Sequence, residues 1–406
     1  MNQNSTTINK TTYILLFLLL IVLFNQCAPS ETAEVKAVSK VPVKATLNPL
    51  TTHAALPKTV IDPRDNISTN EKVELGRLLF YDPILSGDKD VACATCHHPD
   101  NGYAEYRDLS IGVNGTGLGF SRTFKQPNTI PFVKRNAHTI LNTAFNGIKT
   151  TGSYHPDQAP MFWDLRVNSL EKQAIEPILA FEEMRGTHFS ETEIIDVVVN
   201  RLKRIPAYVA LFESVFEEQE SITEDNIAKA IAAFERTLVT TETRFDQYMR
   251  GDKKAISISE REGFLLFKKV GCGNCHNGPM FSDYLPHVIG VPTNDKLLEF
   301  DKGIEDQYAF RTASLRNLRF TAPYMHNGRF NSLREVLEFY EDISNGKNIH
   351  VDLERQQLDT LIQQIDMSVK EIGPIISFLN TLNDTNFDKA IPESVPSGLS
   401  VGGDIR

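Results

Sequence analysis

The chain has 406 residues, 41% of them apolar and 23% charged, with a formal net charge of -10. That length suits about two or three domains with real cores, and the acidic balance excludes a nucleic-acid surface without naming any partner. Of the five cysteines, four lie in two pentapeptides and the fifth is Cys27, so no pair is left for a disulfide framework.

In chain order, Lys10 precedes the apolar run Tyr13 to Phe24, which is too short to span a membrane and suits a signal-peptide core. The next residues, Phe-Asn-Gln-Cys, form a loose lipobox with Cys27 as the lipidated residue, although Asn25 and Gln26 are bulkier than usual. A plain signal peptide with a stray cysteine is the alternative. Residues 1–27 are therefore expected to be a lipoprotein signal peptide. The mature protein then lies in the periplasm or outer cell envelope and meets the membrane only through its lipid. Residues 28–66, rich in Ala, Thr, Pro, Lys and Val, read as a flexible tether. Residues 389–406 read as a disordered tail.

Between these ends two segments repeat. "STNEKVELGRLLF" (68–80) precedes "CATCH" (93–97), and "SISEREGFLLF" (257–267) precedes "CGNCH" (272–276). Ser68 with Glu71 and Ser257 with Glu260 predict capping boxes at helix starts. Cys-x-x-Cys-His is the attachment motif of c-type haem. Cys93, Cys96 and His97 would hold one covalent haem, and Cys272, Cys275 and His276 a second, with each histidine an iron ligand. Zinc would need further ligand pairs, and a redox disulfide would leave both histidines unexplained. His98 reads as a surface neighbour. The segment 221–239 places Ile227, Ile231, Phe234 and Leu238 at helical spacing, and 368–382 opens with another capping box. Strand signals are weak. The expected fold is mainly α, with two cytochrome c-like haem domains in tandem (67–245 and 246–388) that meet at an interface.

The two haems are expected to differ. "RVNSLEKQ" (166–173) repeats as "RFNSLREV" (329–336), and Leu333, Val336, Leu337 and Tyr340 share one helical face. Tyr340 is thus a candidate ligand to the second iron, or else a core tyrosine. Superposing the repeats places it over Pro177, which cannot ligate iron, so the first haem reads as open. An open haem that cleaves peroxide needs an acid/base group. Gln173, Glu176, Glu182 and Glu183 lie near Pro177.

The order "LGRLLFYDPILS", "CATCH", "SIGVNG", "LNTAFN", "FWDLR", "EKQAIEPI", "EEM", "CGNCHNG", "FRTASLRN" and "TAPYMHNGRF", over roughly residues 70–385, resembles the bacterial dihaem cytochrome c peroxidase/MauG family. The resemblance implies a peroxidatic haem at His97 and an electron-transfer haem at His276. It implies a distal glutamine at Gln173, a catalytic glutamate at Glu183 and an inter-haem tryptophan at Trp163. It also implies an interdomain calcium site at Asn136, Thr321 and Pro323, the last two through carbonyls, of a kind suited to hard oxygen donors. Among partners, a second copy in a homodimer is an expectation on which the sequence itself is silent. Tyr340 resembles the MauG branch, because many of the peroxidases carry methionine there. Val113 stands where many carry a removable distal histidine, so the first haem should be open without prior reduction. Leu165 stands where glycine is usual, and His155 falls in an apparent insertion without a role. The implied activity is reduction of hydrogen peroxide with electrons from a small cytochrome c or cupredoxin. The alternatives are MauG-like oxidation of a partner protein and a non-catalytic dihaem electron carrier.

Overall fold

Hydrophobic periodicity sets the architecture. In the computed structural model, which describes residues 53–297, 299–403 and 405, the helices are α1 (Asn70–Tyr81), α2 (Cys93–Cys96), α3 (Leu170–Leu179), α4 (Ile194–Leu202), α5 (Pro206–Val215), α6 (Glu224–Glu235), α7 (Arg244–Met249), α8 (Ile258–Lys269), α9 (Leu333–Ser344), α10 (Thr360–Gln363) and α11 (Val369–Leu379). The strands are short antiparallel pairs: β1 (Gly115–Thr116) with β2 (Thr123–Phe124), β3 (Pro160–Met161) with β4 (Val167–Asn168), and β5 (Pro286–Val288) with β6 (Ala309–Arg311). In the last pair His287 faces Phe310. The fold is mainly α, as expected. Among the described residues, no helix is long and apolar enough to cross a membrane. The expected signal peptide and Cys27 lie outside them.

Capping explains where the helices begin. At α8, Ser257 N donates to Glu260 Oε2 at 2.8 Å and Glu260 N to Ser257 Oγ at 3.2 Å, which is the expected box. At α11, Ser368 N donates to Glu371 Oε2 at 2.9 Å. At α1 the cap is Thr69, whose side chain accepts from Lys72 N at 3.2 Å. The expected Ser68–Glu71 box does not form, because the Ser68 hydroxyl donates to Asp62 Oδ1 at 2.8 Å instead.

The internal repeat persists in packing. α1 crosses α6 at Gly76, where a Cβ would lie 1.9 Å from Ala230 O. α8 crosses α11 at Gly263, where a Cβ would lie 2.1 Å from Pro374 O. Only glycine allows either approach. Around the first crossing lies a core that includes Leu75, Leu79, Ile178, Phe212, Ile227 and Ile231. Around the second lies one that includes Phe245, Phe264, Phe267, Phe281, Ile375 and Phe378. Ile227, Ile231 and Phe234 point inward from α6 as predicted, and Leu238, just beyond the helix, is also buried.

Three expectations are corrected. The end of the expected tether is docked: His53, Leu56 and Asn66 are buried, Leu56 N donates to Asp246 Oδ1 at 2.9 Å, and Asn66 Nδ2 to Glu171 Oε1 at 2.8 Å. The expected disordered tail is docked as well. Val395 and Ile405 are buried, Ser397 Oγ donates to Asp82 Oδ1 at 2.6 Å, and Thr95 Oγ1 donates to Gly402 O at 2.8 Å. Polar composition concealed both, because a few apolar side chains and hydrogen bonds suffice to hold a segment on an existing surface. His98 is buried rather than superficial, and its Nδ1 accepts from Asp100 N at 3.2 Å.

A buried ion pair ties the N-terminal segment to the second core. Arg316 Nη1 and Nη2 each lie 2.8 Å from an Asp246 oxygen, with both side chains within 1% of full burial. Asp246→Ala strands a buried guanidinium, so stability should fall by about 3–5 kcal/mol. Lys203→Ala, which breaks an exposed pair with Glu220, should leave the denaturant midpoint unmoved. Chemical denaturation of both variants checks the pair.

Candidate active site

Each Cys-x-x-Cys-His motif forms a single turn that ends at its histidine. His97 N donates to Cys93 O at 2.9 Å and His276 N to Cys272 O at 3.0 Å. Each ring then donates its Nδ1–H to a carbonyl further on: His97 to Tyr103 O and His276 to Phe281 O, both at 2.9 Å. Tyr103 and Phe281 are fully buried aromatics in left-handed backbone, at φ 55° and 53°. That conformation is an outlier for bulky residues and costs about 1–3 kcal/mol. It turns the carbonyl toward the imidazole. With Nδ1 so engaged, Nε2 of each histidine is left to bind metal.

Both motifs open onto one cavity of about 570 Å³, lined by Cys96, His97, Cys272, Cys275 and His276. The four thiols form no disulfide. Two paired thiols, a tautomer-fixed histidine at each and a shared, largely apolar cavity are the donor set that two c-type haems require.

The cavity also gathers most of the residues singled out in the sequence: Gln173, Pro177, Glu182, Glu183, Trp163, Tyr340, Asn136, Thr321 and Pro323. Gln173 and Pro177 are presented by α3, which runs through the proline. Glu182 and Glu183 lie on the widened turn Phe181–Arg185 that follows. Val113 N holds that turn by donating to Glu183 O at 3.0 Å, and Gly87 N by donating to Met184 O at 2.7 Å. Val113 is therefore a buried brace behind the glutamate. Glu176 does not line the cavity; it pairs with Arg166 Nε at 3.4 Å.

Electrostatics separate the two ends. Burial pushes the Glu183 carboxyl up to about 7, with Arg166 pulling it down and Glu182 and Glu176 adding to the rise. Glu183 in turn raises the Cys93 and Cys96 thiols, after burial and other neighbours. Tyr340, on α9, is raised above the usual phenol range by burial first and then by Cys272 and Cys275. Glu183 is thus coupled to the thiols of the first motif and Tyr340 to those of the second.

Trp163 lies on the loop between β3 and β4, and its Nε1 donates to Asn136 O at 3.0 Å. Two residues on, Leu165 has φ 60°, which explains why glycine is expected there and why leucine is strained. Asn136 Nδ2 donates to Arg107 O at 2.8 Å and Asp108 O at 3.3 Å. His155 precedes a short 3-10 turn and is exposed.

Several lining residues escaped the sequence reading. Glu235 is buried, has one oxygen without a hydrogen bond, and is lifted by burial to about 8, against Arg236 and with Glu171 adding. Its signal was present: it follows Ile231 by one helical repeat and so falls on the buried stripe. His287 is held between Asp359 at 2.7 Å and Asp283 at 3.0 Å. Burial would lower it, but those carboxylates raise it to about 12. His138, His326 and Arg311 carry no periodic signal and were invisible. Cys275, Asp283 and His287 stand close enough to hold a metal, but the Cys275 thiol belongs to the second haem motif.

The profile of the di-haem cytochrome c peroxidase family matches residues 70–254. The chain is 35% identical over 331 residues to the methylamine utilization protein MauG of Methylorubrum extorquens, covering 80% of this chain and 82% of that one. It is 32% identical over 308 residues to the cytochrome c551 peroxidase of Pseudomonas aeruginosa, covering 73% and 79%. A crystal structure of a MauG-like protein associated with microbial copper homeostasis superposes with a TM-score of 0.64 at 27% identity, covering 81% of this chain and 95% of that one. The chain belongs to the di-haem cytochrome c peroxidase/MauG family and is an oxidoreductase with two covalently bound c-type haems.

Proposed function

We propose that this protein reduces hydrogen peroxide to water at the first haem, with electrons from a small cytochrome c or cupredoxin entering at the second. The balance is one peroxide, two protons and two electrons to two waters. What supports this reading is that one cavity brings Gln173, Pro177, Glu183 and Tyr340 together with both motifs, with Glu183 coupled to the thiols of the first and Tyr340 to those of the second. When bound, the first haem supplies the iron at which peroxide is reduced. Pro177 would offer the iron no ligand, and Gln173 would orient the peroxide by hydrogen bonding. Glu183 takes a proton from the inner oxygen and returns it to the outer one. Tyr340 and His276 would together hold the second iron. A plain electron carrier would have no use for Gln173 and Glu183.

A second reading keeps the same site but draws the electrons from residues of a partner protein. Tyr340 and the similarity to MauG favour it. Both readings use calcium at Asn136, Thr321 and Pro323 to hold the cavity wall, and both place the protein outside the cytoplasm, anchored through Cys27.

Four outcomes test these assignments. Glu183→Gln should slow the reaction with peroxide at least roughly a hundredfold with both haems retained, while Glu182→Gln and Glu176→Gln stay near wild type in stopped-flow mixing. Because the base must be ionised and its carboxyl is raised to about 7, the wild-type rate should climb as pH rises through about 7 and level off above it. The Gln variant should lose that climb. Tyr340→Phe should convert the second ferric haem from low spin, visible by electron paramagnetic resonance; an unchanged spectrum removes Tyr340 from the iron. Cys27→Ser should release the protein from the membrane fraction, and continued membrane association would end the lipoprotein assignment.

A further inference from the structure

Trp163 does not stand alone in the cavity. The imidazole of His138 lies stacked on its indole, with ring centroids 3.9 Å apart and planes 27° from parallel. Both rings line the space onto which the two haem motifs open. His326 meets the indole edge-on at 6.3 Å and is itself stacked on Phe310 at 3.7 Å. Hydrogen bonds fix the pair. Arg311 N donates to Trp163 O at 2.8 Å, Arg311 Nε to Phe162 O at 2.8 Å, and Arg311 Nη2 lies 3.4 Å from His138 Nε2. A guanidinium only donates, so the imidazole nitrogen that faces it is the acceptor. The ring on the indole is therefore neutral. A neutral imidazole stacks on the indole as one π face on another.

We propose that His138 is a positioning residue for electron transfer between the two haems, making with Trp163 a stacked two-ring bridge. In this step one electron passes from the second haem to the first by tunnelling through the two rings, and neither ring changes its charge. No proton moves, because the indole N–H stays bonded to Asn136 O. His138 acts by holding the indole plane and by adding a second π face to the path between the haems. The inference rests on the reading of the two haems as a coupled pair, but not on peroxide as the oxidant.

The test uses the full haem-loaded protein, one electron injected by flash photoreduction, and the absorbance bands of the two haems to follow its passage. His138→Leu removes the aromatic face, His138→Gln keeps an acceptor for Arg311 without a ring, and His138→Phe keeps a stacked ring without an acceptor. Transfer should slow about tenfold in the Leu and Gln variants, from loss of the ring contact, and stay within about threefold of wild type in the Phe variant. Haem content and unfolding midpoint should be preserved. Wild-type transfer in the Leu variant overturns the proposal. So does a fast Gln variant beside a slow Phe variant, which would make His138 only a prop for Arg311. If the Leu variant fails to take up haem, the Gln and Phe pair still decides. A wild type that shows His138-dependent transfer but no peroxide turnover would sink the peroxidase reading and leave this one standing.

Discussion

The hydrogen bond from each motif histidine to a backbone carbonyl is the contact on which the rest of the molecule depends. It fixes the imidazole tautomer and aims the free nitrogen at the cavity. The acceptors are not loop atoms that happen to be near. Phe281 is clustered with Phe245, Phe264, Phe267 and Phe378, all with ring centroids within 6.2 Å of one of the others. Tyr103 packs on Phe80. The hydrophobic core therefore holds two backbone residues in a conformation that they would not adopt alone, and the iron ligands inherit that rigidity. Core packing and metal geometry are one problem in this fold, solved twice with the same parts.

On that repeated frame the two sites diverge in the groups coupled to their thiols. Glu183, a carboxyl raised by its burial, acts on those of the first motif, and Tyr340 is itself raised by those of the second. Duplication supplies two equivalent seats for haem, and a few substitutions on α3, the turn after it and α9 set one apart from the other. Because both seats share a cavity, an electron passed between them need not leave the protein.

What was legible in the sequence follows from how local each signal is. The two pentapeptides and the boxes at Ser257 and Ser368 are complete within a few residues, and they read correctly. The α1 cap moved from Ser68 to Thr69 because Asp62, earlier in the chain, competes for the Ser68 hydroxyl. Tyr340 emerged from helical period plus the internal repeat. Glu235 was readable from the same period, as a carboxylate on an apolar stripe, but was passed over. His138 could not have been found: its meaning lies in a ring brought to it by a different loop, and no spacing rule records that contact. The docked ends, 53–66 and 389–405, were misread because composition reports the average character of a segment. Docking depends on a few contacts made elsewhere.

The C-terminal segment has a wider bearing. The Tyr103 hydroxyl donates to Asp388 O at 2.8 Å, and Gly402 O receives Thr95 from within the first pentapeptide. The residue that orients His97 and the helix that carries its cysteines are thus both fastened to residues that lie 285 and 307 positions further along the chain. The first haem seat therefore reaches its final packing only once residues 388–402 have docked on it. A substitution or a cut within residues 388–402 is a change to the surroundings of the first haem and not to a passive appendage.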